Sequence, residues 1–372
     1  MKIIKIGEPK VIMEAPKSRH DYFAWPTAAR LKNGRIAVVA SGFRLRHICP
    51  FGKTVISYSE NEGETYTLPA PVIDTPLDDR DGGIMTFGES GVIVTSFNNT
   101  VDFQRNCIST GTANFKKQSN ERSLYDMAYL DTVTPEEEAE ALGVSFRISH
   151  DNGVTFGKIH KSPITSPHGP VELPDGSIIW VGRTFSSEKD REKVVDRIEA
   201  HKMNPDGSME FIGAIDNIEH CGITPLLCEP HAIALKDGSL LAHIRVQCKG
   251  DAPLFTIFQS RSADGGKTWS KPRQILSDLG GSPPHLMRAS DGTLICTYGY
   301  REEPYGIKAI FSCDEGESWE GESDIYVNGV NKDIGYPSTV ELFDGSFITV
   351  FYAHRENGDS AAVMQQKWRI EK

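Results

Sequence analysis

The chain has 372 residues, 38% hydrophobic and 24% charged, with a formal net charge of −11. That is ample apolar material for a core, and the acidic balance argues against nucleic acid or an anionic membrane surface as a partner. No run approaches the length of a membrane-crossing helix. The opening Met1-Lys-Ile-Ile-Lys-Ile-Gly-Glu-Pro9 lacks the apolar stretch of a secretory signal, and seven cysteines without regular spacing suit a reducing compartment. A cytoplasmic protein is expected, or a secreted one if a leader is removed.

In chain order the first element is a strand at Lys2–Ile6. A turn of Asn-Gly type, Leu31-Lys-Asn-Gly-Arg-Ile36, follows, and then the octapeptide Ser59-Glu-Asn-Glu-Gly-Glu-Thr-Tyr66. Gly88-Glu-Ser-Gly-Val-Ile93 is the second turn. Thr134-Pro-Glu-Glu-Glu-Ala-Glu-Ala-Leu-Gly143 carries a capping Thr, Pro at the first helical position and a terminal Gly, which predicts a short helix. Beyond it the octapeptide recurs as Ser149–Phe156, Ser262–Trp269 and Ser312–Trp319, each Ser-x-Asp/Asn-x-Gly-x-Thr/Ser-aromatic. Four further turns interleave: Leu173–Ile178, Leu235–Leu240, Met287–Leu294 and Leu342–Phe347. The chain closes on a strand at Ala362–Ile370.

Asn-Gly or Asp-Gly between short apolar runs is a hairpin signal, and a motif returning at intervals means a repeat architecture. The turn glycines stand at 34, 91, 176, 238, 292 and 345, with the helical insertion in the longest step. Each unit is the size of a four-stranded blade, so the expectation is all-β: a six-bladed β-propeller forming one domain over residues 1–372. The first and last strands are expected to share a blade and seal the ring. In the octapeptide, Asp or Asn accepts backbone N–H groups, Gly supplies positive φ and the aromatic packs beneath. That box is scaffold.

The chemistry is expected at the mouth opposite the Asp-Gly turns. About nine residues before each turn glycine stand Trp25, the Arg80-Asp81 pair, His168, Glu229 with His231, His285 and Tyr336. After the second strands come Arg44, Asn98 with Asn99, Arg183, Arg245, Arg301 and Arg355. Convergent Arg, Glu, His and Tyr point to a polar, anionic ligand. His220-Cys221 and Cys228-x-x-His231 match no zinc spacing, and neither metal nor cofactor is expected.

Repeated Asp-boxes on a six-bladed propeller resemble the sialidase (neuraminidase) superfamily, the BNR-repeat proteins, over essentially the whole chain. The resemblance implies a glycosidase with a tyrosine nucleophile, its glutamate partner, three arginines on a substrate carboxylate and an aspartate acid/base. Gly335-Tyr-Pro-Ser-Thr-Val-Glu-Leu-Phe-Asp-Gly345 matches the tyrosine stretch, so Tyr336 takes the nucleophile's place. Glu229-Pro-His-Ala-Ile-Ala-Leu-Lys-Asp-Gly238 puts Glu229 at its partner, and Leu240–Arg245 puts Arg245 in the arginine triad. Phe23-Ala-Trp-Pro26 has Ala24 where the first arginine belongs. The third arginine has Arg301 or Lys308 in its blade. The acid/base region reads Gly42–Gly52, with His47 and no Asp; Asp81 in the next blade is the other candidate.

The resemblance therefore implies a hydrolase of a terminal acidic or deoxy sugar on an oligosaccharide or other glycoside. Its assigned roles are Glu229 and Tyr336 for chemistry, His47 or Asp81 for acid/base, Arg44, Arg245 and Arg301 for orientation, Trp25 for stacking, and His168, His231 and His285 for further contacts to substrate. The alternatives are an exo-α-sialidase with Arg44 completing the triad, a polysaccharide lyase using His168, His231 or His285 as base, and a non-catalytic carbohydrate-binding propeller.

Overall fold

Runs such as Ile36-Ala-Val-Val-Ala40 lack the polar alternation of a sheet with one wet face, and every residue of this run is buried. Such strands must be covered on both sides. The computed structural model, which describes residues 1–112, 120–187, 194–276, 280–355 and 360–371, covers them by packing sheet on sheet around a ring.

The first strand, β1 (Lys2–Met13), waits for the last blade. Blade one is β2 (Tyr22–Arg30), β3 (Ile36–Arg44), β4 (Lys53–Ser59) and β5 (Ala70–Ile73). Blade two is β6 (Arg80–Phe87), β7 (Gly91–Phe97), β8 (Val144–Ser149) and β9 (His160–Ser162), with helices α1 (Val101–Thr110), α2 (Asn120–Leu130) and α3 (Pro135–Ala141) inserted after β7. In blade three the inner strand is split into β10 (Ile164–Thr165) and β11 (Val171–Glu172), both pairing with β12 (Ile178–Thr184), then β13 (Ile198–Met203) and β14 (Met209–Ile215). Blade four is β15 (Leu226–Ala234), β16 (Leu240–Cys248), β17 (Leu254–Ser262) and β18 (Arg273–Gln274). Blade five is β19 (Gly281–Arg288), β20 (Leu294–Tyr300), β21 (Gly306–Ser312) and β22 (Glu320–Tyr326). Blade six is β23 (Gly335–Glu341), β24 (Phe347–His354), β25 (Ala361–Glu371) and, closing it, β1. Lys2 stands opposite Glu371 and Met13 opposite Val363, so the two ends of the chain lock the ring.

The inner strands form the ring: β2 touches β6 and β23, β11 touches β6 and β15, and β19 touches β15 and β23. The apolar cores lie between blades. Val39 and Ile56 of blade one pack with Ile84, Val92 and Val94 of blade two, and Leu241 and Ile257 of blade four pack with Leu286 and Leu294 of blade five.

The octapeptides connect the third strand of a blade to the fourth. Asp151 accepts the N–H groups of Val154 and Thr155, its other oxygen takes the Thr155 hydroxyl, and Gly153 donates to Ser149 Oγ. Asp264, Asp314 and Asn61 anchor the same loop through Thr268, Ser318 and Thr65.

Helix α3 begins where the sequence places it, with Thr134 and Glu137 forming a reciprocal capping box. Three expectations change. The insertion holds two further helices, α1 and α2, whose apolar residues Val101, Cys107, Ile108 and Leu130 cover Leu77 and Ile48. In the second turn the left-handed residue is Gly88, with φ 52°, while Gly91 already belongs to β7. In blade three the inner strand breaks around Pro167–Pro170, since proline cannot donate to the ladder. No helix among the described residues is long and apolar enough to cross a membrane.

Candidate active site

Trp25, Asp81, Glu229 and Tyr336 share a backbone state that side chains other than glycine rarely adopt, with φ of 53°, 46°, 49° and 50°. Each sits where its inner strand skips a step of the ladder: between Ala24 and Thr27, Arg80 and Gly83, Cys228 and His231, and Gly335 and Ser338. The next residue is Pro26, Gly82, Pro230 or Pro337, so a missing N–H or Cβ suits the bulge. A left-handed non-glycine residue costs about 1–2 kcal/mol, and here four blades repeat it at one level. The bulge re-aims these side chains out of the strand's normal alternation.

Two of the four meet. Tyr336 Oη donates to Glu229 Oε1 at 2.6 Å, and Arg245 Nη1 donates to Glu229 Oε2 at 2.7 Å. Arg245 is held from behind by Gln247, whose Oε1 accepts from Nε and Nη2 at 3.1 and 2.7 Å. Burial alone would raise Glu229, but the Arg245 charge and the hydrogen bonds from Tyr336 and Arg245 hold it below its ordinary value. Burial, then the charges of Glu229 and Asp81, push Tyr336 well above its ordinary value. At neutral pH the pair is a carboxylate holding a neutral phenol, the state in which Glu229 is ready to take the phenol proton.

Asp81 is pushed up to about 6, first by burial and also by Glu229, with Arg80 opposing. Its Oδ1 is buried without a hydrogen-bond partner among the described residues. A carboxyl so placed exchanges its proton close to neutrality. Its neighbours divide the labour: Asp78 pairs with Arg44, and Asp79 caps the turn by accepting from Thr75 N–H at 2.7 Å.

The wall behind the mouth is aromatic and cationic. Trp25 is 1% exposed, with the Arg80 and Arg44 guanidinium carbons 4.3 and 4.8 Å from its ring centroid. It therefore offers no open face to a sugar, which corrects the stacking role expected of it. Arg44 is also corrected: it is 0% exposed, 2.5 Å from Asp78, and donates to the carbonyls of Arg46, Asp79 and His47. A Cβ at Gly52 would overlap both Arg44 and Asp78, so the pair is sealed by a close backbone approach. Neither ion faces the mouth.

His47 stands edge-on to Trp25, its Nδ1 3.5 Å from Asp333 and its Nε2 3.5 Å from Arg80 Nη2. Burial lowers its pKa, with the Asp333 contacts opposing and the two arginines assisting. Asp333 is the hub of this wall, accepting from the hydroxyls of Tyr22 and Tyr352 at 2.8 and 2.7 Å and lying 2.6 Å from His354 Nε2. Burial would raise its pKa, but the hydrogen bonds and charges of His354 and His47 hold it well below the usual carboxylate range.

His168, His231 and His285 do not join the mouth. They lie together in the central tunnel, 1%, 8% and 6% exposed, with ring centroids 4.7–5.1 Å apart. Leu286 N–H donates to His231 Nδ1 and Thr339 N–H to His285 Nδ1. Burial pushes His231 down to about 3 and the other two well below their ordinary value. Neutral imidazoles set inside the ring are poor partners for a substrate at its mouth, which corrects their expected role.

Arg301 borders Tyr336, its Cζ 5.9 Å from the ring centroid. Of its guanidinium nitrogens, Nε donates to the carbonyl of Ile334 at 2.9 Å. Lys308, the other candidate in that blade, is held by Glu322 and Tyr300. Arg183 forms a two-pronged pair with Asp196 at 2.6 and 2.7 Å, and Arg355 pairs with Glu14 and Asp21. Asn98 is buried and holds Gly143 N–H, while Asn99 faces the cavity beside Glu229. The sequence reading missed Asp333, Tyr22, Tyr352 and His354. Asp333 and Tyr22 precede Tyr336 and Trp25 by three residues, and that shared offset is the only signal they leave. Among the described residues no group of three His, Cys, Asp or Glu side chains is placed to hold a metal ion.

Residues 127–349 match the BNR repeat-like domain. A protein of unknown function from Dyadobacter fermentans superposes with a TM-score of 0.73 at 20% identity, covering 99% of both chains. The NanB sialidase of Streptococcus pneumoniae superposes with a TM-score of 0.67 at 13% identity, over 99% of this chain and 71% of that one. An α-L-arabinanase of Penicillium chrysogenum, solved with arabinobiose, gives 0.61 at 12% identity, over 99% and 97%. At these identities the likeness is one of fold. No curated protein matches the chain.

Proposed function

The chain belongs to the BNR repeat-like domain family, and from that premise we propose that it is a glycoside hydrolase acting on a terminal sugar of an oligosaccharide. The observation that carries this reading is the 2.6 Å hydrogen bond from Tyr336 to a Glu229 fixed by Arg245. Tyr336 Oη attacks the anomeric carbon while its proton passes to Glu229, and the bond to the leaving oxygen breaks as Asp81 delivers its proton there. In the second step Asp81, now a carboxylate, takes a proton from water as the water attacks. The phenolate leaves and recovers its proton from Glu229.

Asp81 is favoured over His47 as the acid. Asp81 is coupled electrostatically to Glu229 and Tyr336, whereas His47 answers to Asp333 and the arginines of the wall. Arg301 is the group we assign to a polar or anionic substituent of the reacting sugar. With Ala24 in place of one arginine, Arg44 buried on Asp78 and Arg245 held by Glu229 and Gln247, the three-arginine clamp for the sialic acid carboxylate is incomplete, and we assign the site to another acidic or deoxy sugar. The burial and neutrality of the tunnel histidines weigh against a lyase base among them.

The test is a screen of fluorogenic glycosides spanning sialic acid, uronic acids and deoxy sugars. Turnover of a non-sialic member is expected, reduced about 10³-fold in Tyr336→Phe with an unchanged circular dichroism spectrum. Silence across the screen, or wild-type turnover by Tyr336→Phe, overturns the assignment.

A further inference from the structure

A cavity of about 560 Å³ opens beside the Tyr336–Glu229 pair. Its lining comes from blades two to four and includes Asp81, Glu229 and Arg245 together with Arg183 and Asp196. Tyr336, Arg301 and His47 do not line it. The chamber therefore lies on the side of the acid, away from the nucleophile and the guanidinium assigned to the reacting sugar. A leaving group protonated by Asp81 would depart into this space.

Both cations of its described lining are paired. Arg183 is held two-pronged by Asp196 at 2.6 and 2.7 Å and Arg245 is held by Glu229 at 2.7 Å, while Asp81 adds a carboxyl that gives up its proton near pH 6. The Arg183–Asp196 pair is nonetheless open, its side chains 35% and 52% exposed, so it can hydrogen-bond outward without either ion being lost. Asn99 and Gln247 add amide groups, and Phe185 an apolar surface. A wall with paired ions, amides and a ring matches a ligand that is polar at its edges, apolar on its faces and uncharged. Among the described lining residues an anionic ligand would find no unpaired cation and would meet the carboxylates of Asp196 and Glu229.

We infer that this chamber is the leaving-group subsite and that it takes a neutral, hydroxyl-rich sugar unit, read by the Arg183–Asp196 pair. The inference rests on the proposed hydrolase for the words "leaving group", while the preference for a neutral sugar rests on the cavity alone. Asp196 sets that preference. Replaced by Asn it keeps its shape and leaves Arg183 as an unpaired cation facing the chamber, which turns the site toward an acidic sugar.

The experiment titrates galactose against galacturonate, and glucose against glucuronate, into Arg301→Ala, which removes the cation assigned to the reacting sugar, and into the same chain carrying Asp196→Asn, with ligand-observed NMR as the readout. With Asp196 intact the neutral member of each pair is expected to bind more tightly, and Asp196→Asn to shift the neutral-to-acidic affinity ratio about tenfold toward the uronate. Arg183→Ala in the same background is expected to weaken both sugars without reversing their order. Tighter binding of the uronates with Asp196 intact, binding of none of the four sugars, or an unchanged ratio in Asp196→Asn overturns the inference. Sugar binding is scored without turnover, so an inactive chain that still prefers neutral sugars contradicts the hydrolase and leaves the chamber standing.

Discussion

Glu229 and His231 are two residues apart on β15, yet one belongs to a charged network at the mouth and the other to a neutral cluster in the tunnel. The bulge separates them. Glu229 lies inside it with φ of 49°, and its carboxylate meets Tyr336 and Arg245. At His231 the ladder has resumed opposite His243, and the ring faces two other imidazoles. Glu229 is half-buried and His231 buried, but only the upper site supplies charged partners. The lower one excludes charge and keeps its histidines unprotonated. The station on the strand, more than the residue type, decides which titratable group can do chemistry.

The sharpest way to break that comparison is to substitute both positions. Glu229→Gln is expected to lower turnover about 10³-fold and His231→Gln to change it by less than about threefold, read on whichever fluorogenic glycoside is turned over. Equal losses would mean that mouth and tunnel act as one site. Arg44→Leu tests the wall instead. It removes the closer of two cations from the buried Asp78 carboxylate, leaving Arg80 at 3.6 Å, and is expected to destabilise the fold by about 3 kcal/mol in urea unfolding. A shift below about 1 kcal/mol, with binding lost, would return Arg44 to the substrate.

Asp81→Asn is expected to cut kcat about 10²-fold for a poor leaving group and far less for a good one. In the wild type the acid form of Asp81 disappears above pH about 6, so kcat/KM is expected to fall toward tenfold per pH unit on that limb. The limb should be absent in the variant. If it persists there, another group supplies the proton.

The smallest effect concerns stability. The tunnel histidines have folded pKa values below those of the unfolded chain, His231 at about 3 against an ordinary 6.5. Their contribution is complete above pH 6.5 and is lost as pH falls toward 3, because the unfolded chain takes up protons the folded one refuses. Asp79 and Asp81, raised to about 7 and about 6, work in the opposite direction over the upper part of that range. His231→Gln should therefore show a shallower fall of Tm between pH 6.5 and 4 than the wild type. An equal slope would remove the neutral cluster from the account.

The architecture was legible because turns and octapeptides are local chemistry. Asp264 bonds the backbone of its own loop, and Gly34, Gly176, Gly238, Gly292 and Gly345 all take positive φ within their own hairpins. Glu229 and Tyr336 were legible through a fixed offset from those turns. Depth was not. Trp25 and Tyr336 hold the same offset, but one is covered by two guanidinium groups and the other faces Glu229, a difference set by Arg80 and Arg44 from other strands. His168, His231 and His285 shared the offset only roughly, and the phase of the ladder carried them inward. Asp333 was invisible because its partners lie on β2, β24 and the loop of His47.

The central claim is that Tyr336 becomes covalently glycosylated during turnover. Mass spectrometry of the chain treated with a fluorinated analogue of its preferred aryl glycoside tests it most directly. The account predicts one added glycosyl unit on the peptide that contains Tyr336, and none in Tyr336→Phe. A label on Glu229 or Asp81, or undiminished turnover without any label, contradicts it.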